Sequence, residues 1–468
     1  MNARKIAAFA VGPIGSAALG LLIVPFTAWY FPAEDVGRIA MLQVAISFCL
    51  LLFSLGLDQA YVREFHESAD KAALLKRCVW PGLSLLTLSL LTLLAWPSAL
   101  SKLLFDLESA TASAIVAACL VCAFLGRFIA LVVRMEERGL IFSFSQILPK
   151  LSVLACLTFF VIGSTQRQLT QLLIANAISL LSVVVVIGWM TRKSWMSATI
   201  CDTPSRVIPL RQLLHFGSPL ILSGVAFWGM ISLDRIFLKE LSTFESLASY
   251  SIAASFAGIA VIIQSIFSTI WAPMIYKKSS DGVDPILIEK MVSTILSVVV
   301  VIFATSGLLS WIIKTILPPQ YIDVQFILVA CLGYPLLYTL SEASGIGLGI
   351  TRRSRETMIA AVAALVVNGI ANFLLIPNFG AQGAASATAI SFLALLILRT
   401  EMAKRAWINF NTTTLYLMSS TCTALSVATA LYGKQLEAPL QICWIVMLAM
   451  GINQLRKKLP RFSKSVNR

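Results

Sequence analysis

The chain has 468 residues, 58% of them hydrophobic and only 12% charged, with a mean hydropathy of +0.87. That balance excludes a soluble globule, which would carry about twice the charge, and points to a polytopic helical membrane protein. The net charge of +14 raises nucleic acid as a partner, but no basic run interleaves with a soluble domain, so nucleic acid is excluded.

In chain order, apolar runs predict about fourteen helical spans, each near the ~20 residues a bilayer requires. Strands alternating in hydrophobicity, as in an outer-membrane barrel, are absent from the pattern. The first span runs from Ile6 to Phe31; it is too long for a signal peptide, lacks a small-residue cleavage site, and reads as a retained span. Spans two to six follow at Ile39–Ala60, Val79–Leu100, Thr111–Val133, Leu140–Ile162 and Leu169–Met190. Residues 192–212, with Pro204 and Pro209, read as a cytoplasmic linker between an N-terminal six-helix bundle (1–191) and a C-terminal one (213–403). The second bundle holds spans at Leu213–Leu238, Leu247–Pro273, Met291–Ile313 and Val324–Ile350, then a hairpin. Residues 404–468 add two extra helices and a basic cytoplasmic tail.

The hairpin is the most informative stretch. From Thr357 to Leu398, 42 residues contain no Asp, Glu, Lys or Arg, enough for two spans. Pro377-Asn378-Phe379-Gly380 breaks them with an expected turn, and Gly383, Ala384, Ala385 and Ala387 allow close helix packing.

Basic residues give an orientation. With the N-terminus cytoplasmic, 27 of the 36 Lys and Arg fall on cytoplasmic loops and seven on outer loops. The positive-inside rule therefore predicts both termini in the cytoplasm, and the +14 is mostly topology, with some attraction to anionic lipid heads. The remaining two cations, Arg127 and Lys150, sit inside spans.

Ionisable groups at membrane depth cost about 3 kcal/mol by insertion scales and default to function. Lys150 lies near the middle of span five after Pro149, and Arg127 shares a face of span four with Arg134. Both, with Arg63, suit a polyanionic head group such as a pyrophosphate, Arg as a bidentate donor and Lys as a point charge. Their alternative role is structural pairing with Asp58 or Glu342. Glu342 precedes Gly345, Gly347 and Gly349, a segment able to kink. Asp58 and Arg63 also read as an interfacial pair, as do Asp234 and Arg235. Gln146, Gln264, Asn368 and Asn372 suit sugar hydroxyls or helix–helix hydrogen bonds. Cys119 and Cys122 read as small apolar residues, and with two histidines no metal cluster or cofactor is expected. No phosphate-binding loop for ATP occurs, and the short outer loops leave little room for a polymerase or ligase site.

The pattern Asn368-x3-Asn372-x3-Ile376-Pro377-x2-Gly380-x2-Gly383-Ala384-Ala385-x-Ala387-Thr388 resembles the hairpin of polysaccharide flippases of the multidrug/oligosaccharidyl-lipid/polysaccharide (MOP) exporter superfamily. Leu55-Gly56-Leu57-Asp58-Gln59 through Arg63, Asp234-Arg235 and Trp271-Ala272-Pro273 are similar to further segments of that family, in the same order. The resemblance implies an all-α fold of two pseudo-symmetric six-helix bundles around a central cavity. It implies alternating-access transfer of an undecaprenyl-pyrophosphate-linked oligosaccharide (O-antigen, capsule or exopolysaccharide) to the periplasmic leaflet of a bacterial inner membrane, driven by an ion gradient. Expected partners are that lipid-linked oligosaccharide, membrane lipids and a polysaccharide polymerase complex. A lipid II-type flippase, a drug exporter and a non-transporting assembly protein stay open as alternatives.

Overall fold

The computed structural model describes residues 3–68, 70–163, 167–196, 209–279 and 285–466. Among them the secondary structure is helical, without strands. Two compact units divide the chain, Met1–Trp228 and Gly229–Arg468. Most of the 192–212 linker lies outside the described residues.

Unit 1 holds α1 (Ala3–Tyr30), α2 (Ala33–Phe53), α3 (Leu57–Glu64), α4 (Lys71–Leu94), α5 (Ala99–Phe105), α6 (Ala110–Met135), α7 (Gly139–Ile162), α8 (Leu169–Ser182), α9 (Gly188–Met190), α10 (Arg192–Met196) and the start of α11 (Leu210–Leu241). A π-helical turn, Val183–Ile187, joins α8 to α9. Unit 2 holds the rest of α11, then α12 (Phe244–Ser279), α13 (Pro285–Leu309), α14 (Ile313–Ile316), α15 (Val324–Cys331), α16 (Gly333–Ser344), α17 (Ile346–Ile350), α18 (Ser354–Ala406), α19 (Thr413–Tyr432) and α20 (Glu437–Val466).

Twelve helices among the described residues are long and apolar enough to cross a membrane. One of them, α18, is 53 residues long and consists of two helices joined at Gly380 (φ 51°, ψ −125°). This is the expected hairpin, with one adjustment. Pro377 is carried inside the first helix, and Gly380 alone makes the reversal, because a side chain is strongly disfavoured at that φ/ψ. The helix α11, 32 residues, stands where the seventh span is expected. The two helices after the hairpin, α19 and α20, are anchored to α13 of unit 2: the buried Trp444 ring presses on Gly307, and its indole N–H donates to Thr429 Oγ1 at 3.2 Å.

Span two differs from its sequence reading. It is not one helix from Ile39 to Ala60 but α2 and α3, interrupted at Ser54–Gly56. Leu55 (φ 53°) and Gly56 (φ 68°) are both left-handed, a pair that ends one helix and redirects the next. The redirection is fixed from outside. A Cβ on Gly56 would lie 2.3 Å from the carbonyl oxygen of Gly217 on α11, so the two backbones touch. Span ten also breaks, at Leu332 and again at Gly345, the first of the three glycines flagged there.

Candidate functional site

The break at Ser54–Gly56 puts Asp58 in the first turn of α3, where the helix N-terminus favours a carboxylate. Arg127 on α6 reaches it, Nη2 donating to Asp58 Oδ2 at 2.8 Å. Gln59 Nε2 donates to the same oxygen at 3.1 Å. Asp58 is buried, whereas the Arg127 side chain is 43% exposed and lines a cleft of about 520 Å³. Leu50, Leu51 and Phe227 give that cleft apolar walls, and Asp58, Gln59 and Arg127 its polar end. An ion pair against apolar walls is screened far less than one in water. Arg127 is the more open of the two, so an incoming anion meets the guanidinium first.

Arg63, in the last turn of α3, is 59% exposed and lies 4.5 Å from the Phe216 ring centroid, with Glu64 at 3.6 Å. It is not paired to Asp58, so the interfacial pairing considered for those two is replaced by Asp58–Arg127. Lys150 is exposed on α7, off the stripe of Leu140, Phe144, Leu151, Phe159 and Ile162 that forms the open apolar face of that helix. Gln146, one turn earlier, shares its flank and is half-buried.

Unit 2 gathers a second node. Asp234 on α11 is fully buried. Its Oδ1 accepts from Asn368 Nδ2 at 3.0 Å and Asn372 Nδ2 at 2.6 Å, and its Oδ2 from Tyr250 Oη at 2.6 Å and from Thr388 Oγ1. Asn372 also donates to Asn368 Oδ1 at 3.0 Å, and its own Oδ1 is buried without a partner among the described residues. Asp234, Asn368 and Asn372 therefore face one another rather than an open cavity, and the hairpin wraps the carboxylate. Arg235 points away, donating to Ile231 O at 3.2 Å with its guanidinium 5.7 Å from the Tyr250 ring centroid. The sequence reading did not single out Tyr250. Thr388 stood in the hairpin pattern without a role; its four-residue step to Ala384, whose carbonyl it also meets at 3.1 Å, sets it on the face that looks at α11.

Glu342 makes a third group in unit 2. It accepts from Ser268 Oγ and, at 3.5 Å, from Gln264 Nε2, both on α12. Its partners are neutral, so the pairing of Glu342 with a membrane cation is replaced by a hydrogen-bonded carboxylate.

Twelve long apolar helices among the described residues define a multi-pass membrane protein. Residues 3–279 match the model of the family described as polysaccharide biosynthesis protein, and the chain belongs to that family. No curated protein sequence matches it. Among solved structures, the lipid II flippase MurJ in an inward closed conformation is similar over 98% of this chain and 99% of its own, at 14% identity and a TM-score of 0.67. An inward-facing multidrug resistance MATE family transporter of the MOP superfamily is similar over 83% of this chain and 94% of its own, at 15% identity and a TM-score of 0.56. A MATE structure in a bent conformation is similar over 89% and 96%, at 14% identity and a TM-score of 0.52. At these identities the likeness is one of fold: the chain has the helical transporter fold of those structures.

Proposed function

We propose that the chain moves a polyprenyl-pyrophosphate-linked oligosaccharide from the cytoplasmic to the outer leaflet of a bacterial inner membrane, with both termini in the cytoplasm. The observation that carries this reading is the Arg127–Asp58 pair at the polar end of the unit 1 cleft. In the structure Asp58 neutralises Arg127. A pyrophosphate exchanges for that carboxylate, because it offers more acceptor oxygens to the guanidinium fork than one aspartate. Lys150, with no carboxylate within 4.0 Å among the described residues, and Arg63 supply further positive charge. The apolar cleft walls tolerate the first isoprene units while excluding water. The Asp234 node suits ion coupling: its donors are neutral, so a small cation that enters meets a carboxylate with no cationic partner among the described residues.

The reading is tested on the lipid. Membranes from a strain deleted for the gene are expected to accumulate pyrophosphate-linked repeats on the cytoplasmic face, with surface polysaccharide lost, and mass spectrometry names the sugars. Repeats that still reach the outer leaflet, together with new sensitivity to cationic drugs, would instead favour a drug exporter. In that case Asp58 would be the substrate group and Arg127 its competitor, so Arg127→Gln would raise cation export rather than abolish transport.

A further inference from the structure

Two donors share one oxygen at the polar end of the unit 1 cleft. Arg127 Nη2 and Gln59 Nε2 both donate to Asp58 Oδ2, at 2.8 and 3.1 Å. They reach it from different places. Arg127 comes from α6, whereas Gln59 is the residue after Asp58 and rides on the same helix, α3. A movement of Arg127 therefore leaves the Gln59 contact where it is. Gln59 is exposed and lines the cleft, and Asp58 is the one hydrogen-bond partner of its side-chain amide among the described residues.

The amide is not needed to neutralise Asp58, because it carries no charge and Arg127 already supplies one. It matters when Arg127 is engaged elsewhere. Asp58 is buried, and a buried charge that loses its partner costs more than the pair contributed while intact. With Arg127 as its only donor, the carboxylate would hold the guanidinium back from an incoming anion. The other polar side chain of the lining, Ser54, is turned away: its hydroxyl donates to Leu51 O at 3.4 Å. Gln59 is thus the lining side chain left to stay on Asp58.

We infer that Gln59 is a positioning residue of the anion site: it holds Asp58 while Arg127 passes to the pyrophosphate, a role that rests on the exchange proposed above. It acts through Asp58 and not by touching the lipid. Glutamine suits the task chemically. Being neutral, it does not compete with Arg127 for the anion as a second cation would. Its hydrogen bond is also weaker than the charge-assisted one, so Asp58 takes Arg127 back once the anion leaves.

The test titrates purified full-length protein with undecaprenyl pyrophosphate and compares wild type, Gln59→Met, Asp58→Asn and the double variant. Methionine keeps the length of the side chain and removes the donor. Gln59→Met is expected to bind the lipid about fivefold more weakly, the worth of one net hydrogen bond, while its thermal midpoint moves little because the side chain is exposed. Asp58→Asn is expected to bind more tightly than wild type, since Arg127 is released, and in that background Gln59→Met has no further effect. Asp58→Ser supplies the same background should the asparagine variant not fold. Unchanged affinity in Gln59→Met overturns the role of Gln59. So does an equal loss with and without the Asp58 carboxylate, which would mean that the amide touches the lipid directly or that its removal disturbs the cleft. In either case, weaker binding by Arg127→Gln leaves the flippase reading standing. Absence of binding by the wild-type protein overturns both.

Discussion

Asp58 and Asp234 are both aspartates enclosed in a helical membrane protein, yet they are satisfied in opposite ways. Asp58 is met by a guanidinium whose other side opens on a cleft. Asp234 is met by two amides and two hydroxyls and, among the described residues, by no cation at hydrogen-bond distance, and it is closed off. The first arrangement stores a counter-charge that a larger anion can replace without uncovering the aspartate. The second encloses its carboxylate among donors that cannot leave, since each belongs to a packed helix. Open pairs thus suit a bulky charged cargo, and closed carboxylates suit either helix cohesion or an ion small enough to enter. The variants below separate the two nodes, beginning with the largest effect.

Asp234→Ala removes the acceptor for Asn368, Asn372, Tyr250 and Thr388 at once. A buried donor left without a partner costs about 1–3 kcal/mol, so several together are expected to prevent accumulation of folded protein, read as lost monodisperse material after detergent extraction. Asp234→Asn keeps the shape and two acceptor sites. It is expected to fold with a lowered thermal midpoint and to lose gradient-driven transport. Full transport by Asp234→Asn would confine this node to a structural role.

Next in size is Gly56→Ala. The new Cβ would sit 2.3 Å from the Gly217 carbonyl oxygen, at a φ of 68° that costs a side chain energy even in open space. A loss of about 1–3 kcal/mol is expected, measured as a lower thermal midpoint, and Gly217→Ala should behave likewise. Arg127→Gln inverts the pattern. Its side chain is close to half exposed, so the thermal midpoint should move little, while lipid transport should fall about tenfold or more. A large loss of stability in Arg127→Gln would mean that the pair with Asp58 is structural after all.

The helical class and the hairpin were legible in the sequence, because apolar length and a turn residue inside it are one-dimensional signals. Partners were not. The sequence offered Asp58 and Glu342 alike as partners for the buried cations; nothing along the chain chose Asp58 for Arg127, 69 positions away, or said that Asn368 and Asn372 turn toward Asp234. Those contacts depend on helix rotation, which periodicity fixes only where a face is polar. The interruption of span two was carried by Gly56 alone, and a lone glycine in an apolar run does not distinguish a kink from a packing site.

The smallest expected effect calibrates the rest. Lys102 and Glu108 pair at 2.7 Å on the loop side of α5, outside the spans, with both side chains about 70% exposed. The hydrogen bond from Lys102 holds the Glu108 carboxyl below its usual range, and the same bond raises Lys102. The glutamate's contribution is therefore present at neutral pH and fades as the pH falls through the depressed value, while the lysine's fades as the pH rises through the raised one. Water and salt screen both charges, and two long side chains lose freedom in holding the contact. Glu108→Gln should accordingly leave the thermal midpoint unchanged within error from pH 6 to 8, and raising the salt should change nothing further. Its geometry is as good as that of Arg127–Asp58, so a null result here, against a transport defect there, would show that surroundings and not distance decide what an ion pair is worth in this chain.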